Sequence, residues 1–236
     1  LFILPLVYWP KAAVVYEIPR VWFVHRWVEV MAVIGLTLGY MQIRKGTVKA
    51  VRVVPILGFV SVAVVASVVG VDLGKSIWGN YYRGDGLLTL FHLVGFSLLV
   101  SLFWDKSWRA KVSGAIGLGM LAVSLWAIWQ KIGGGGGEWG GAVGASFGQP
   151  VFLAGYLAVG LPFLFYNYLA SRGKVGLIWA GAVVVSGAAV GLTLAIVGVV
   201  AFGLSGVFWL WLEMKGVRKW LWFGLAAVLT TTVVGI

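Results

Sequence analysis

The chain has 236 residues, of which 61% are hydrophobic and only 11% charged, whereas soluble domains carry about 25% charged residues. That balance excludes a water-soluble core and predicts an all-α, polytopic transmembrane helix bundle. The formal charge of +11 would suggest nucleic acid in a soluble protein, but here it falls in the loops and no nucleic-acid partner is expected. There is no cysteine and there are two histidines, too few for a thiolate or all-histidine metal site.

A bilayer core roughly 30 Å thick takes about 20 helical residues. This predicts a stump at 1–9 and spans near 21–43, 53–71, 87–104, 112–130, 150–170, 175–194, 196–212 and 220–236, about eight to nine in all. The chain opens on Leu1 and closes on the apolar run 221–236, so the expectation is a single partial domain, truncated at both ends. Alternate loops divide the basic residues twelve to five, with Arg26 left inside a span. Basic residues gather in cytoplasmic loops. The poorer set, which includes loops 73–86 and 131–149, is therefore expected on the outer side of the membrane.

Within span 21–43, His25, Arg26 and Glu29 can share one helix face, since their spacings are three and four. Either Arg26 and Glu29 neutralise each other, or Arg26 faces a cavity and binds an anion. Loop 73–86 is the richest polar stretch and contains Trp78, Tyr82, Arg83 and Asp85. A guanidinium among aromatics and glycines suits a sugar phosphate; the alternative is an interfacial turn in which Arg83 pairs with Asp85. His92 lies one to two turns into the following span, where an ionisable side chain is a functional candidate or is simply solvated at the rim.

The run Gly133–Gly137 has no strand and no following Lys-Ser/Thr, so it reads as a linker and not a phosphate loop. Beyond it Ser146, Gln149 and Pro150 read as a helix start, with Ser146 or Gln149 capping the first amides and Pro150 in the first turn. Gln149 can also touch a polar ligand at the cavity mouth. Pro162 is expected to kink that helix. Gly187 and Gly191 form a small-xxx-small pattern expected to bring two helices close together.

The segment Phe147-Gly148-Gln149-Pro150-Val151-Phe152-Leu153-Ala154-Gly155-Tyr156-Leu157, with Leu161-Pro162 after it, resembles the FGNPxxLAxYL…LP pattern of bacterial O-antigen ligases and O-antigen polymerases. Trp78-Gly79-Asn80-Tyr81-Tyr82-Arg83-Gly84-Asp85-Gly86-Leu87-Leu88-Thr89 is similar to the WGxxxRxxGLLT loop of the same group. The loop from Pro10-Lys11 to Pro19-Arg20 is also similar in placement.

The resemblance implies a multi-span glycosyltransferase that moves a glycan from an undecaprenyl-diphosphate donor to an acceptor, without metal or other cofactor. By the same resemblance Arg83, and secondarily Arg26, hold the diphosphate. His92, Gln149, Tyr82, Trp78 and Asp85 would border an outer cavity onto which Arg83 and Gln149 open together. Two departures stand out. The Ser-Arg-Gly motif usual in the family is replaced by Leu192-Thr193-Leu194-Ala195-Ile196-Val197-Gly198. The large outer loop that carries a histidine in the family would follow the ninth span, where this sequence stops, so the catalytic residues are not assigned. The open alternatives are a transporter or flippase for a polar lipid or anion, and a non-enzymatic partner in envelope assembly.

Overall fold

The computed structural model describes residues 2–12, 15–43, 54–80, 84–103, 106–134 and 140–213. The described residues are helical without strands. They form α1 (Glu17–Ile43), α2 (Val54–Val69), α3 (Leu73–Trp78), α4 (Leu87–Phe103), α5 (Trp108–Ile132), α6 (Pro150–Ala170), α7 (Gly173–Leu192) and α8 (Ile196–Glu213), with 3-10 turns at Leu4–Leu6 and Ala145–Phe147. Among them α5, α6 and α7 are long and apolar enough to cross a membrane, and α2, α4 and α8 are shorter apolar helices. The span expected at 220–236 lies outside the described residues.

The observed bounds differ from the expected ones for identifiable reasons. α1 begins at Glu17, because Pro19 falls in the first turn, where its missing N–H would have no helical partner anyway. Residues 2–9, expected to end a span, hold only the short turn around a buried Pro5. Loop 73–86, expected to be irregular, contains α3, and Asp72 caps it by accepting from the Lys75 amide at 3.0 Å. The break expected at Leu194 is present. The Thr193 hydroxyl donates back to the Val190 carbonyl at 2.6 Å and accepts from the Ala195 amide at 3.3 Å, and Leu194 adopts φ +52.

The chain divides into two compact units, residues 7–106 and residues 1–6 with 107–236. In the second unit α6 is the centre and packs on α5, α7 and α8. Its buried residues Leu153, Ala154, Leu157, Ala158, Leu161 and Leu164 recur at three and four, which puts a broad stripe inside the bundle. Polar ties fix the packing. The Ser124 hydroxyl donates to that of Ser186 across α5 and α7 at 3.2 Å. Ser113 donates to the Phe163 carbonyl at 3.1 Å, and the Asn167 amide donates to the Ser113 carbonyl at 2.9 Å.

The start of α6 differs from the capped entry expected. Pro150 does occupy the first turn, but Gln149 makes no side-chain capping bond. The Ser146 hydroxyl is turned away and donates to the Pro5 carbonyl. Beyond the Gly133–Gly137 run, Ala142, Val143, Ala145 and Ser146 are buried. Non-helical backbone at such depth must have partners, and it has them. The Val143 amide donates to the Leu192 carbonyl at 3.2 Å, and the Ala145 amide donates to the Gln130 side-chain oxygen at 2.8 Å.

Candidate functional site

The loop that carries the second motif is a pinched ring of backbone. The Asp85 carboxylate accepts from the Asn80 amide at 2.8 Å, and the Gly84 amide donates to the Asn80 carbonyl at 2.7 Å. At the neck Gly79 and Gly86 lie backbone against backbone. A Cβ on Gly79 would strike the Gly86 amide, and one on Gly86 would strike Gly79 and the Ile77 carbonyl. Gly79 also has φ +76, which disfavours a side chain. The motif therefore places its glycines at the two points where the ring closes. Tyr82 and Arg83 come between Asn80 and Gly84 in the sequence and lie outside the described residues. Trp78, at the end of α3, is mostly exposed.

Two helices hold this ring from below. Gly84 sits over Val21 of α1. The Thr89 hydroxyl donates to the Gly84 carbonyl, so its oxygen is left to accept from His25 Nε2–H, 3.0 Å away. One turn further on, the His25 and His92 rings stack with centroids 4.0 Å apart and planes 14° from parallel, and Val28 faces Gly95. Residue numbers rise together along this contact, so α1 and α4 run parallel.

Proton positions follow from the partners. A carbonyl oxygen only accepts, so the 2.8 Å contact between His92 Nδ1 and the Leu88 carbonyl puts a hydrogen on Nδ1. His92 Nε2 then meets Glu29 Oε1 at 3.2 Å. Arg26 also donates to Glu29 Oε1, at 2.6 Å. Of the two arrangements open to Arg26, the structure contains the self-paired one, with the guanidinium 5.9 Å from the Trp22 ring centre.

The cluster thus joins two of the expected site residues, Arg26 and His92, through a third that was not among them. Glu29 was visible in the sequence as a member of the shared face, but its bond to His92 bridges 63 positions and no local spacing signals it. Asp85 lies in this loop. Its described bond goes to the Asn80 amide, and an ion pair with Arg83 falls outside the described residues. Gln149 lies in the other unit, half-buried at the head of α6, so its expected opening beside Arg83 is not something the described residues address.

Comparison with protein-family models, with curated proteins and with solved structures finds no match.

Thr89 is the hinge between ring and helices, and Thr89→Val keeps its shape while removing both bonds. Leaving the partly buried His25 N–H and Gly84 carbonyl unsatisfied should cost about 1–3 kcal/mol. The expected result is faster amide hydrogen exchange across residues 79–86 in Thr89→Val, with exchange in α6 unchanged.

Proposed function

We propose that this chain is part of an integral, multi-pass inner-membrane glycosyltransferase of the O-antigen ligase or polymerase type. In this reading it takes a glycan from an undecaprenyl-diphosphate donor, and the Arg83 ring faces the periplasm. The observation that carries the reading is the pinched ring. The motif positions Gly79, Gly84, Asp85, Gly86 and Thr89 are all spent on closing and anchoring one loop, and the arginine of that loop is the residue the resemblance assigns to the diphosphate. The twelve-to-five division of basic residues supports the orientation.

In the reaction so assigned, the acceptor hydroxyl oxygen attacks the anomeric carbon. The bond from that carbon to the diphosphate breaks, the diphosphate leaves with the electron pair, and the hydroxyl proton is released. Departure builds negative charge on the diphosphate, where a guanidinium donating two hydrogen bonds is most effective. Arg83 supplies that charge. Arg26 joins it only by exchanging Glu29 for phosphate, and Glu29 keeps His92 as its other partner.

Arg83→Ala in the protein of the native host should lower glycan transfer by at least about a hundredfold, the scale of losing one donor to a developing anion. The amount of inserted protein should stay the same. Normal transfer by that variant would sink the assignment. Cysteine labelling at positions 83 and 149 tests the orientation, and reactivity only from the cytoplasmic face would overturn it.

A further inference from the structure

At the far end of the second unit the turn between α6 and α7 forms a recess of about 490 Å³. Its walls include Tyr168, Leu169, Ser171, Leu177 and Ala180. Two features set it apart from an ordinary helix crossing. The first is polarity along its length: the hydroxyls of Tyr168 and Ser171 lie at the turn, whereas Leu177 and Ala180 continue along α7 as an apolar track. Leu169 and Leu177 are 55% and 74% exposed, so the track is open to whatever surrounds the helices.

The second feature is charge. Arg172 and Lys174 alternate with the lining residues Ser171 and Gly173 and are exposed. No ion pair engages either among the described residues. Arg109 and Lys111 come to the same end, because Ser113 of α5 is bonded to Phe163 and Asn167 near the end of α6. Lys111 lies 5.3 Å from the ring centre of Trp108, an aromatic suited to the headgroup layer.

We propose that this recess is a binding site for one anionic phospholipid. The phosphate sits between Arg172 and Lys174 with the Ser171 and Tyr168 hydroxyls in reach, and an acyl chain lies along Leu177 and Ala180. The argument for this occupant is complementarity at both ends of one molecule: cations at the turn that make no ion pair among the described residues, and an exposed apolar track leading away from it. Basic pockets between helices recognise anionic headgroups in this way. A zwitterionic lipid would fill the track but bring its own cation to the turn, and free phosphate would leave the track empty. The site is independent of the glycan-transfer reading and would exist in a transporter as well.

The test is native mass spectrometry of the purified full chain titrated with phosphatidylglycerol or phosphatidylcholine. Each basic side chain near an anionic lipid is worth about fivefold in affinity. Arg172→Ala/Lys174→Ala should therefore weaken phosphatidylglycerol binding roughly thirtyfold and leave phosphatidylcholine binding unchanged. Arg109→Ala/Lys111→Ala should weaken it less. Thermal unfolding with added phosphatidylglycerol gives a second readout, with a rise in Tm for the wild type that the first double variant lacks. Equal retention of both lipids by the wild type would overturn the proposal. So would equal losses in the two double variants, or full displacement of phosphatidylglycerol by inorganic phosphate.

Discussion

On the proposed glycan-transfer reading, Gly86→Ala should lower transfer as far as Arg83→Ala does, while the protein still inserts and still unfolds as one cooperative species. The expectation rests on what lies where the new methyl group would go. At Gly86 it meets the Gly79 amide, the Ile77 carbonyl and the Trp78 carbonyl carbon, all backbone atoms of α3 and its exit. Side chains can rotate away from an added carbon, but these atoms can yield only if the ring opens. Gly79→Ala should behave the same way, with the added penalty of a positive φ.

A ring forced open also releases the Asn80 amide from Asp85. The measurable sign is protease sensitivity confined to residues 79–86. Asp85→Asn separates closure from charge, since its amide oxygen can still accept from Asn80. It should keep most activity if Asp85 only closes the ring. Full activity in Gly86→Ala would show that the pinched loop does not set the position of the arginine.

This ring also shows how far the sequence could be read. Its glycines were visible as motif positions, and α4 after it follows from hydrophobic length, whereas α3 before it does not. What closes it depends on contacts that no periodicity encodes. The Asp85 bond reaches back across a turn, and the His25–Thr89 bond joins residues 64 apart. Glu29 was legible as a neighbour of Arg26 because i and i+3 are adjacent on any helix. Its link to His92 needed α4 to lie parallel to α1, which is tertiary information. The burial of 142–146 was not legible for a similar reason. Glycine and serine there look like linker chemistry, yet small residues are also what allow backbone to pack inside a bundle. The division at Leu194 was legible because two apolar lengths had to fit a single run.

Close helix approach is where the sequence pattern and the structure part most clearly, and it carries the largest expected effect on stability. Gly187 and Gly191 have the spacing associated with helix contact. A Cβ on Gly187 would meet only the Phe202 ring at an ordinary 3.7 Å, and one on Gly191 would meet nothing within 4 Å. Tight contacts lie elsewhere, at Gly117 of α5, at Gly160 of α6 and at Gly198 of α8, where a Cβ would collide with the Ala154 methyl of α6. The reason is geometric: α8 packs against the central helix more extensively than it packs against α7. Ala154 is fully buried and its side chain has no rotamer to escape into.

Gly198→Val should destabilise the protein by about 1–3 kcal/mol, the usual cost of overfilling a packed interface, and Gly198→Ala by less. Gly181→Ala, where the new methyl group enters open space, should instead raise stability by up to about 1 kcal/mol through helix propensity. Thermal or detergent-driven unfolding of the three variants measures both signs. If Gly198→Val unfolds at the wild-type midpoint, α6 and α8 are not in the close contact described. If Gly181→Ala is the more damaging change, the tight seam runs along α7 instead.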